Sequence, residues 1–272
     1  MDRKFTLIGH PLGHTMSPPI HKRLFELSAK SGEYGVTDLP ALDGNRPLLE
    51  SLDGYNVTIP YKTEIIGFLD RLDDSAKRYE AVNCVKNSPD GAVGYNTDCT
   101  GFLRSLEGEG LSLGGKVLLL GCGGAGRMMA TETLLHGGTL TIAVRDINKG
   151  KAAADEIIKS AGGEITVTTF DKIEGEFDIC LNSTPVGMFP NVDASPISDA
   201  VAGKCGAVFD AIYNPAETML MRQFSSAGKK AVGGMAMLVW QAAVAHKIWD
   251  DADYTNEEIS SIIDEMNDLM KK

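Results

Sequence analysis

The chain has 272 residues, of which 43% are hydrophobic, a length that allows one large domain or two modest ones. Its net charge of −11 argues against nonspecific binding to nucleic acids or anionic membranes, because both require clustered positive charge. No apolar stretch approaches the roughly 18 to 20 residues of a membrane span. The five cysteines are scattered and never spaced as C-x-x-C, which argues against disulfides or a zinc ribbon and favours a reducing, cytoplasmic compartment.

The first hundred residues alternate between strand and helix patterns. Short β-type runs predict strands at residues 5–9, 34–39, 54–59, 81–86 and 92–96. One helix is predicted to start at Pro18 and Pro19, because proline suits a first helical turn. Another helix is predicted after Pro60, and a third over residues 99–106.

A second pattern begins at residues 116–120, where a continuous apolar run is typical of a strand buried on both faces of a parallel sheet. The alternation continues with a helix at 148–160 and strands at 140–144, 164–170, 177–182, 206–210 and 229–232, as in a doubly wound sheet. Two last helices, at 235–249 and 255–271, leave that sheet. The second starts at a capping-box pattern formed by Thr255 and Glu258.

A G-x-G-x-x-G motif follows the strand at 116–120 and opens a helix. Its glycines are Gly121, Gly123 and Gly126, with Gly124 and Ala125 between them. In this setting the first glycine makes a tight turn, the second lets the backbone approach a pyrophosphate, and the third allows close helix packing. A glycine trio can also be a βα turn that needs positive φ, but the flanking strands and helix favour a dinucleotide site.

The end of the next strand bears on which dinucleotide is bound. Arg145 comes directly after this strand and Lys149 one helical turn later, so both can face the 2′-phosphate of NADP. Asp146 lies between them and would suit the ribose hydroxyls of NAD. A third interpretation is a solvated helix start in which Asp146 interacts with the helix N-terminus. We predict NADP, with NAD as the alternative.

A nicotinamide site also needs a proton donor, because hydride transfer to a carbonyl leaves an alkoxide. No Tyr-x-x-x-Lys follows any of the seven tyrosines, which argues against a short-chain dehydrogenase site. His10, His14 and His21 cluster in sequence, but Pro11 and Gly13 place the first two in a loop rather than on a helix that would align ligands. We therefore predict no metal site.

Several longer motifs remain, spread along nearly the whole chain. In chain order they are Ile8–Pro18 with Ile20-His21, Asn56–Lys62, Ala81–Asn83, Gly94–Asp98, the glycine loop, Asn182–Met188, Asp210–Pro215 and Gln241–Ala243. Together they resemble the shikimate dehydrogenase family with its quinate/shikimate relatives. The resemblance implies an α/β protein of two domains. Residues 1–100, with C-terminal helices at 238–272 returning to them, would form an α/β substrate domain, and residues 101–237 a Rossmann-type domain, with the active site in the cleft between the domains.

The activity that the resemblance implies is the reversible NADP-dependent reduction of 3-dehydroshikimate to shikimate, in the aromatic amino acid (chorismate) pathway. Lys62 matches the catalytic lysine and Asp98 its partner, which we expect to orient Lys62 and share the proton. One alternative is a quinate/shikimate dehydrogenase that uses NAD or both cofactors. Another is a noncatalytic dinucleotide-binding regulator, which should have lost the Lys62 and Asp98 pair. A monomer or a homodimer is expected.

The resemblance also assigns binding residues. Those that match substrate-binding positions are Thr15, Ser17, Thr58, Lys62, Asn83, Asp98, Tyr213 and Gln241. Those that match cofactor-binding positions are Gly121, Gly123, Gly124, Ala125, Gly126, Arg145, Lys149, Asn182, Ser183, Thr184, Ile212 and Gly234. The chain departs from the family pattern at Thr15, Met16, Val144 and Ala236, which bears on substrate choice and cofactor fit. Without the resemblance, these polar residues could equally serve local caps, turns and solvated helix faces.

Overall fold

The structure is a computed structural model that describes residues 3–13 and 15–271. Its strands are β1 (Lys4–Gly9), β2 (Glu33–Asp38), β3 (Gly54–Val57), β4 (Arg71–Leu72), β5 (Cys84–Ser88), β6 (Gly91–Tyr95), β7 (Lys116–Leu120), β8 (Thr139–Val144), β9 (Ile165–Thr169), β10 (Phe177–Asn182), β11 (Cys205–Asp210) and β12 (Lys230–Gly233). Its α-helices are α1 (Ser17–Ser28), α2 (Arg46–Glu50), α3 (Asp74–Tyr79), α4 (Asp98–Glu107), α5 (Gly124–Leu135), α6 (Ile147–Ala161), α7 (Asp199–Ala202), α8 (Met219–Ser225), α9 (Gly234–Asp250) and α10 (Asn256–Met270). Among the helices described, none has the length and apolarity needed to cross a membrane.

The chain divides into two compact units, each built around one six-stranded sheet. The first unit comprises the residues up to Gly101 together with Leu238–Met266. The second comprises Phe102–Met237 and the residues after 266. Helices cover strands in both units, so the predicted α/β fold class with two domains is confirmed.

The first unit has a mixed sheet with the strand order β2-β1-β3-β5-β6-β4. β1 runs parallel to β2 and β3, whereas β5 runs antiparallel to β3 and β6. Ile8 at the end of β1 and Val57 at the end of β3 are buried in its core. Because β1 and β3 are parallel, the loops that follow them, around Thr15 and Thr58, leave from the same edge of the sheet.

The second unit has a fully parallel sheet with the order β9-β8-β7-β10-β11-β12. This is the strand order of a Rossmann fold, in which the dinucleotide crosses the carboxyl ends of the strands where the order reverses. Val117–Leu120 of the central strand β7 is completely buried, as the continuous apolar run predicts. The glycine motif therefore starts at the switch point of this sheet.

The helix predicted after Pro60 is short and is not an α-helix. The chain forms turns there and then a 3-10 helix at Glu64–Phe68. Thr63, Ile65 and Ile66 are β-branched and are followed by Gly67, and both residue types have low helix propensity. Burial of Ile65 in the core of the first unit holds this short segment in place.

The capping box predicted at the last helix is confirmed. The Thr255 N–H donates to Glu258 Oε2 at 2.8 Å, and the Glu258 N–H donates to Thr255 Oγ1 at 3.2 Å. The reciprocal pair satisfies two N–H groups at the start of α10.

Candidate active site

Lys62 and Asp98 form the ion pair that the sequence predicts for proton transfer. Lys62 Nζ donates to Asp98 Oδ2 at 2.6 Å, and the side chains are 33% and 18% exposed. The Lys62 carbonyl accepts from the Val82 N–H at 2.7 Å, which fixes the backbone that carries the lysine. Asp98 opens α4, and its N–H donates to Asn96 Oδ1 at 3.1 Å. The ammonium is thus held in place yet remains partly accessible.

The side-chain amide of Asn83 joins Asp98 to Gln241. Asn83 Oδ1 accepts from the Thr97 N–H at 2.7 Å, and this backbone group can only donate. Asn83 Nδ2 therefore faces Asp98 Oδ1 at 2.8 Å and Gln241 Oε1 at 2.9 Å. Since the Gln241 oxygen is turned toward Asn83, its amide nitrogen is the end that remains for a further acceptor. Thr97, which is completely buried, sets this polarity, and sequence analysis did not single it out.

Thr15 and Ser17 lie together at the start of α1. Thr15 Oγ1 donates to Ser17 Oγ at 3.2 Å and accepts from the Ser17 N–H at 3.2 Å. Thr58 follows β3 and is half-buried, with its N–H bound to the Ile8 carbonyl at 2.9 Å. These predicted substrate residues all belong to the first unit, whereas Tyr213 belongs to the second, where partial burial raises its pKa.

The clustered histidines have separate partners. His10 Nδ1 lies 2.6 Å from Asp38 Oδ1. His21 is buried and lies with its Nδ1 3.0 Å from His246 Nε2. His14 lies outside the described residues. Within residues 3–13 and 15–271, no three histidine, cysteine or acidic side chains are grouped to hold a metal ion.

The glycine loop has the shape that a pyrophosphate requires. Gly121 adopts φ +84°, and a Cβ on Gly126 would lie 2.5 Å from Ser183 Oγ, so both positions require glycine. A Cβ on Gly123 or Gly124 would meet no described protein atom within 4 Å. Both residues are exposed at the N-terminus of α5, where backbone N–H groups favour an anion. The loop therefore fits the diphosphate of a dinucleotide.

At the end of β8, the structure separates the roles of three neighbouring charges. Asp146 Oδ1 accepts from the N–H groups of Asn148 at 3.0 Å and Lys149 at 3.1 Å, so Asp146 is the N-cap of α6. Asp146, which left the choice between NADP and NAD open, thus caps a helix. Arg145 and Lys149 lie next to it and are exposed.

Three of the predicted cofactor residues lie at the end of β10 and in the loop that follows it. Ser183 Oγ donates to the Leu120 carbonyl at 3.0 Å, which ties this loop to the end of β7. Thr184 donates to Asn182 Oδ1 twice, from its N–H at 3.0 Å and from its hydroxyl at 2.7 Å. Asn182 is completely buried and donates from Nδ2 to Asp210 Oδ1 at 2.9 Å. Asp210 is part of a family motif but was assigned no role from the sequence, although an acidic residue at the end of an apolar strand is a visible signal.

Comparison with known proteins identifies the family. Residues 7–85 match the family model of the shikimate dehydrogenase substrate binding domain. Shikimate dehydrogenase (NADP(+)) of Caldanaerobacter subterraneus subsp. tengcongensis is 36% identical over 94% of this chain and 95% of its own. The protein of the same name from Methanocaldococcus jannaschii is 37% identical over 94% of each chain.

A solved structure agrees over nearly the full length. Shikimate 5-dehydrogenase of Thermus thermophilus, crystallised with NADP(H) and shikimate, superposes with a TM-score of 0.85 at 29% identity. The match covers 97% of this chain and 99% of that one. Identity above 30% to the two sequence relatives over nearly complete chains, together with the shared fold, assigns this chain: it belongs to the shikimate dehydrogenase family.

Proposed function

We propose that this chain catalyses the reversible NADP-dependent reduction of 3-dehydroshikimate to shikimate, a step of aromatic amino acid (chorismate) biosynthesis. Two relatives named shikimate dehydrogenase (NADP(+)) support the assignment. A structural neighbour crystallised with NADP(H) and shikimate supports it as well. The observation in this chain that carries it is the 2.6 Å contact between Lys62 Nζ and Asp98 Oδ2. An intact proton-transfer pair argues against a noncatalytic regulator.

Lys62 is the proton donor in this proposal. The cofactor, when bound, supplies the hydride that reduces the ring carbonyl. The Lys62 ammonium gives its proton to the carbonyl oxygen as negative charge develops there, and takes a proton from the hydroxyl in the reverse direction. Asp98 holds the ammonium from one side, and the Asn83 amide fixes Asp98 from the other. A proton donor whose ammonium is paired with a fixed carboxylate loses little freedom on reaching the transition state.

The substrate contacts follow from the donors and acceptors in place. The Ser17 hydroxyl, which accepts from Thr15, can donate to the substrate carboxylate, and the Thr15 hydroxyl can do so by turning away from Ser17. Both groups are neutral and still allow the product to leave. The amide nitrogen of Gln241 can donate to a ring hydroxyl, and Thr58 offers a further hydroxyl. Tyr213 is proposed near the carboxylate on the family resemblance alone.

The cofactor contacts are proposed in the second unit, with the first unit as the substrate domain. The exposed backbone at Gly123 and Gly124 would bind the diphosphate, and Arg145 and Lys149 the 2′-phosphate. Five free cysteines suit a reducing, cytoplasmic compartment. A monomer or a homodimer is proposed, and sedimentation equilibrium distinguishes them.

Replacing Lys62 by methionine tests the proposed function. The change keeps the length of the side chain but removes the ammonium, and should lower turnover by about 100-fold or more without weakening NADP+ binding. The matched control is Lys77→Met, since Lys77 is an exposed lysine of the same unit, paired with Asp74 at 2.9 Å. Turnover above about a tenth of wild type would exclude Lys62 as the proton donor, given that such groups typically contribute 100-fold or more. Assays with shikimate and quinate, each with NADP+ and NAD+, test the substrate and cofactor.

A further inference from the structure

A carboxylate that no predicted function uses is completely buried at the carboxyl end of β11. Asp210 accepts three hydrogen bonds there: from Asn182 Nδ2 at 2.9 Å, from the Ile212 N–H at 3.1 Å and from Thr218 Oγ1 at 2.7 Å. Burial raises the pKa of Asp210, and the three donors oppose that rise. Three donors directed at one buried side chain suit a carboxylate, because both of its oxygens can accept hydrogen bonds.

These bonds connect Asp210 to much of the cofactor loop structure. Asn182 accepts two hydrogen bonds from Thr184. The position of Thr184 therefore depends on the orientation that Asp210 gives to the Asn182 amide. The Ile212 carbonyl accepts from the Gly234 N–H at 3.0 Å, at the start of α9. Four residues predicted to bind the cofactor are therefore within two hydrogen bonds of one carboxylate.

The position of this network in the sheet indicates which half of the cofactor it serves. β10, β11 and β12 lie on one side of β7, and β8 and β9 lie on the other. A dinucleotide on such a sheet has its diphosphate at the loop after β7 and its adenosine at the end of β8, where Arg145 lies. The nicotinamide half would then lie over the carboxyl ends of β10 and β11, next to Asn182, Asp210 and Ile212.

We propose that Asp210 is a positioning residue that holds the loops after β10 and β11 in the shape that binds the nicotinamide half of NADP. This inference rests on the proposed cofactor. It assigns Asp210 no contact with the cofactor, because the side chain is buried and is engaged by Asn182, Ile212 and Thr218.

Binding of two ligands to Asp210→Asn tests the proposal without turnover. The carboxylate accepts with both oxygens, whereas an amide has only one acceptor oxygen, so at least one of the three donors would lose its acceptor and the loops should shift. By titration calorimetry, the Kd for NADP+ should rise by about tenfold or more. The Kd for adenosine 2′,5′-bisphosphate, which has no nicotinamide, should stay within about twofold of wild type. The control is Asp178→Asn: Asp178 lies at the other end of β10 and accepts from the Lys116 N–H at 2.7 Å, so its loss should affect neither Kd.

Thr218→Val provides a milder test should Asp210→Asn fail to fold. It removes one donor to Asp210 and should weaken NADP+ binding severalfold. Thr218→Ser, which keeps the hydroxyl, should retain the wild-type affinity for NADP+. An equal loss of both ligands would show that Asp210 supports the fold generally, and NADP+ affinity within twofold of wild type in the folded variants would also overturn the proposal. A wild-type protein that binds neither ligand would instead contradict the proposed cofactor.

Discussion

Two buried histidines should make the stability of the first unit depend on pH. His21 and His246 are at most 2% exposed, and His21 also stacks on Tyr34 with ring centroids 3.7 Å apart. Burial lowers the pKa of His246 to about 3, with a contribution from the nearby charge of Arg3. Burial likewise lowers the pKa of His21 well below its usual value, with a contribution from His246. Both rings are therefore neutral in the folded protein at any pH in ordinary use.

The expected effect follows from the difference between folded and unfolded states. In the unfolded chain both imidazoles titrate near pH 6.5, so below that pH the unfolded state binds protons that the folded state does not. The free energy of unfolding therefore falls as the pH drops from about 6.5 toward 3. At pH 5.5 each histidine should have removed about 1.4 kcal/mol relative to pH 8, and the pair about 3 kcal/mol. Above pH 6.5 both states are neutral, and the pair adds no pH dependence.

The two tryptophans of the chain provide the assay. Trp240 and Trp249 both lie in α9, in the part of this helix that belongs to the first unit, so urea unfolding followed by tryptophan fluorescence reports on that unit. In wild-type protein the free energy of unfolding should fall between pH 8 and pH 5.5. In the double variant His21→Phe, His246→Phe this fall should be smaller by about 3 kcal/mol. His136→Gln, which removes an exposed histidine of the second unit, should keep the wild-type difference.

A second measurement covers the case in which the double variant does not fold. In wild-type protein, the imidazole NMR signals of His21 and His246 should not shift between pH 8 and pH 5.5. Titration of either ring near pH 6.5 would refute the reasoning, as would an unchanged pH slope in a folded double variant.

Two further predictions concern the specificity of the proposed site. Arg145→Ala should lower the preference for NADP+ over NAD+ in kcat/KM, because the exposed Arg145 guanidinium, if it binds the 2′-phosphate as proposed, discriminates by charge. An unchanged ratio would exclude this role. Wild-type protein should prefer shikimate over quinate by at least about tenfold in kcat/KM, because at the proposed position the Thr15 methyl would crowd the extra hydroxyl of quinate. Thr15→Ser should lower the ratio of kcat/KM for shikimate over quinate. Comparable quinate activity in the wild type would contradict the predicted preference. An unchanged ratio in Thr15→Ser would contradict the crowding argument.

The sequence predicts elements best where burial alone decides the pattern. The strands predicted at 116–120 and 177–182 have the observed bounds of β7 and β10, because apolar runs buried on both faces end abruptly at polar or glycine residues. The strand predicted at 81–86 instead forms at Cys84–Ser88. Val82 is completely buried outside the strand, so its apolar side chain resembles a strand residue although tertiary packing accounts for it.

The Lys62 and Asp98 pair could be predicted only through family resemblance. The two residues are 36 positions apart, and neither has a local pattern that distinguishes it from a surface lysine or a helix-starting aspartate. Their contact depends on the turn after β3 and on the start of α4, which no local periodicity relates. Thr97 was missed for the same reason: its N–H matters only because Asn83 lies opposite it.

Asp210 and Asn182 show how much a correct strand order adds to a local pattern. Each is the polar residue that ends an apolar strand, and each alone could be a simple cap. β10 and β11 pair in parallel, with Asn182 opposite Asp210 in the register, so the adjacency of the strands places the two side chains together. A doubly wound sheet was predicted from the alternation of elements, and its usual order already makes these strands neighbours. Polar residues that end neighbouring parallel strands can therefore be paired from sequence once the order is assumed, whereas the bonds to Thr218 and Ile212 depend on loop conformations that the sequence pattern does not determine.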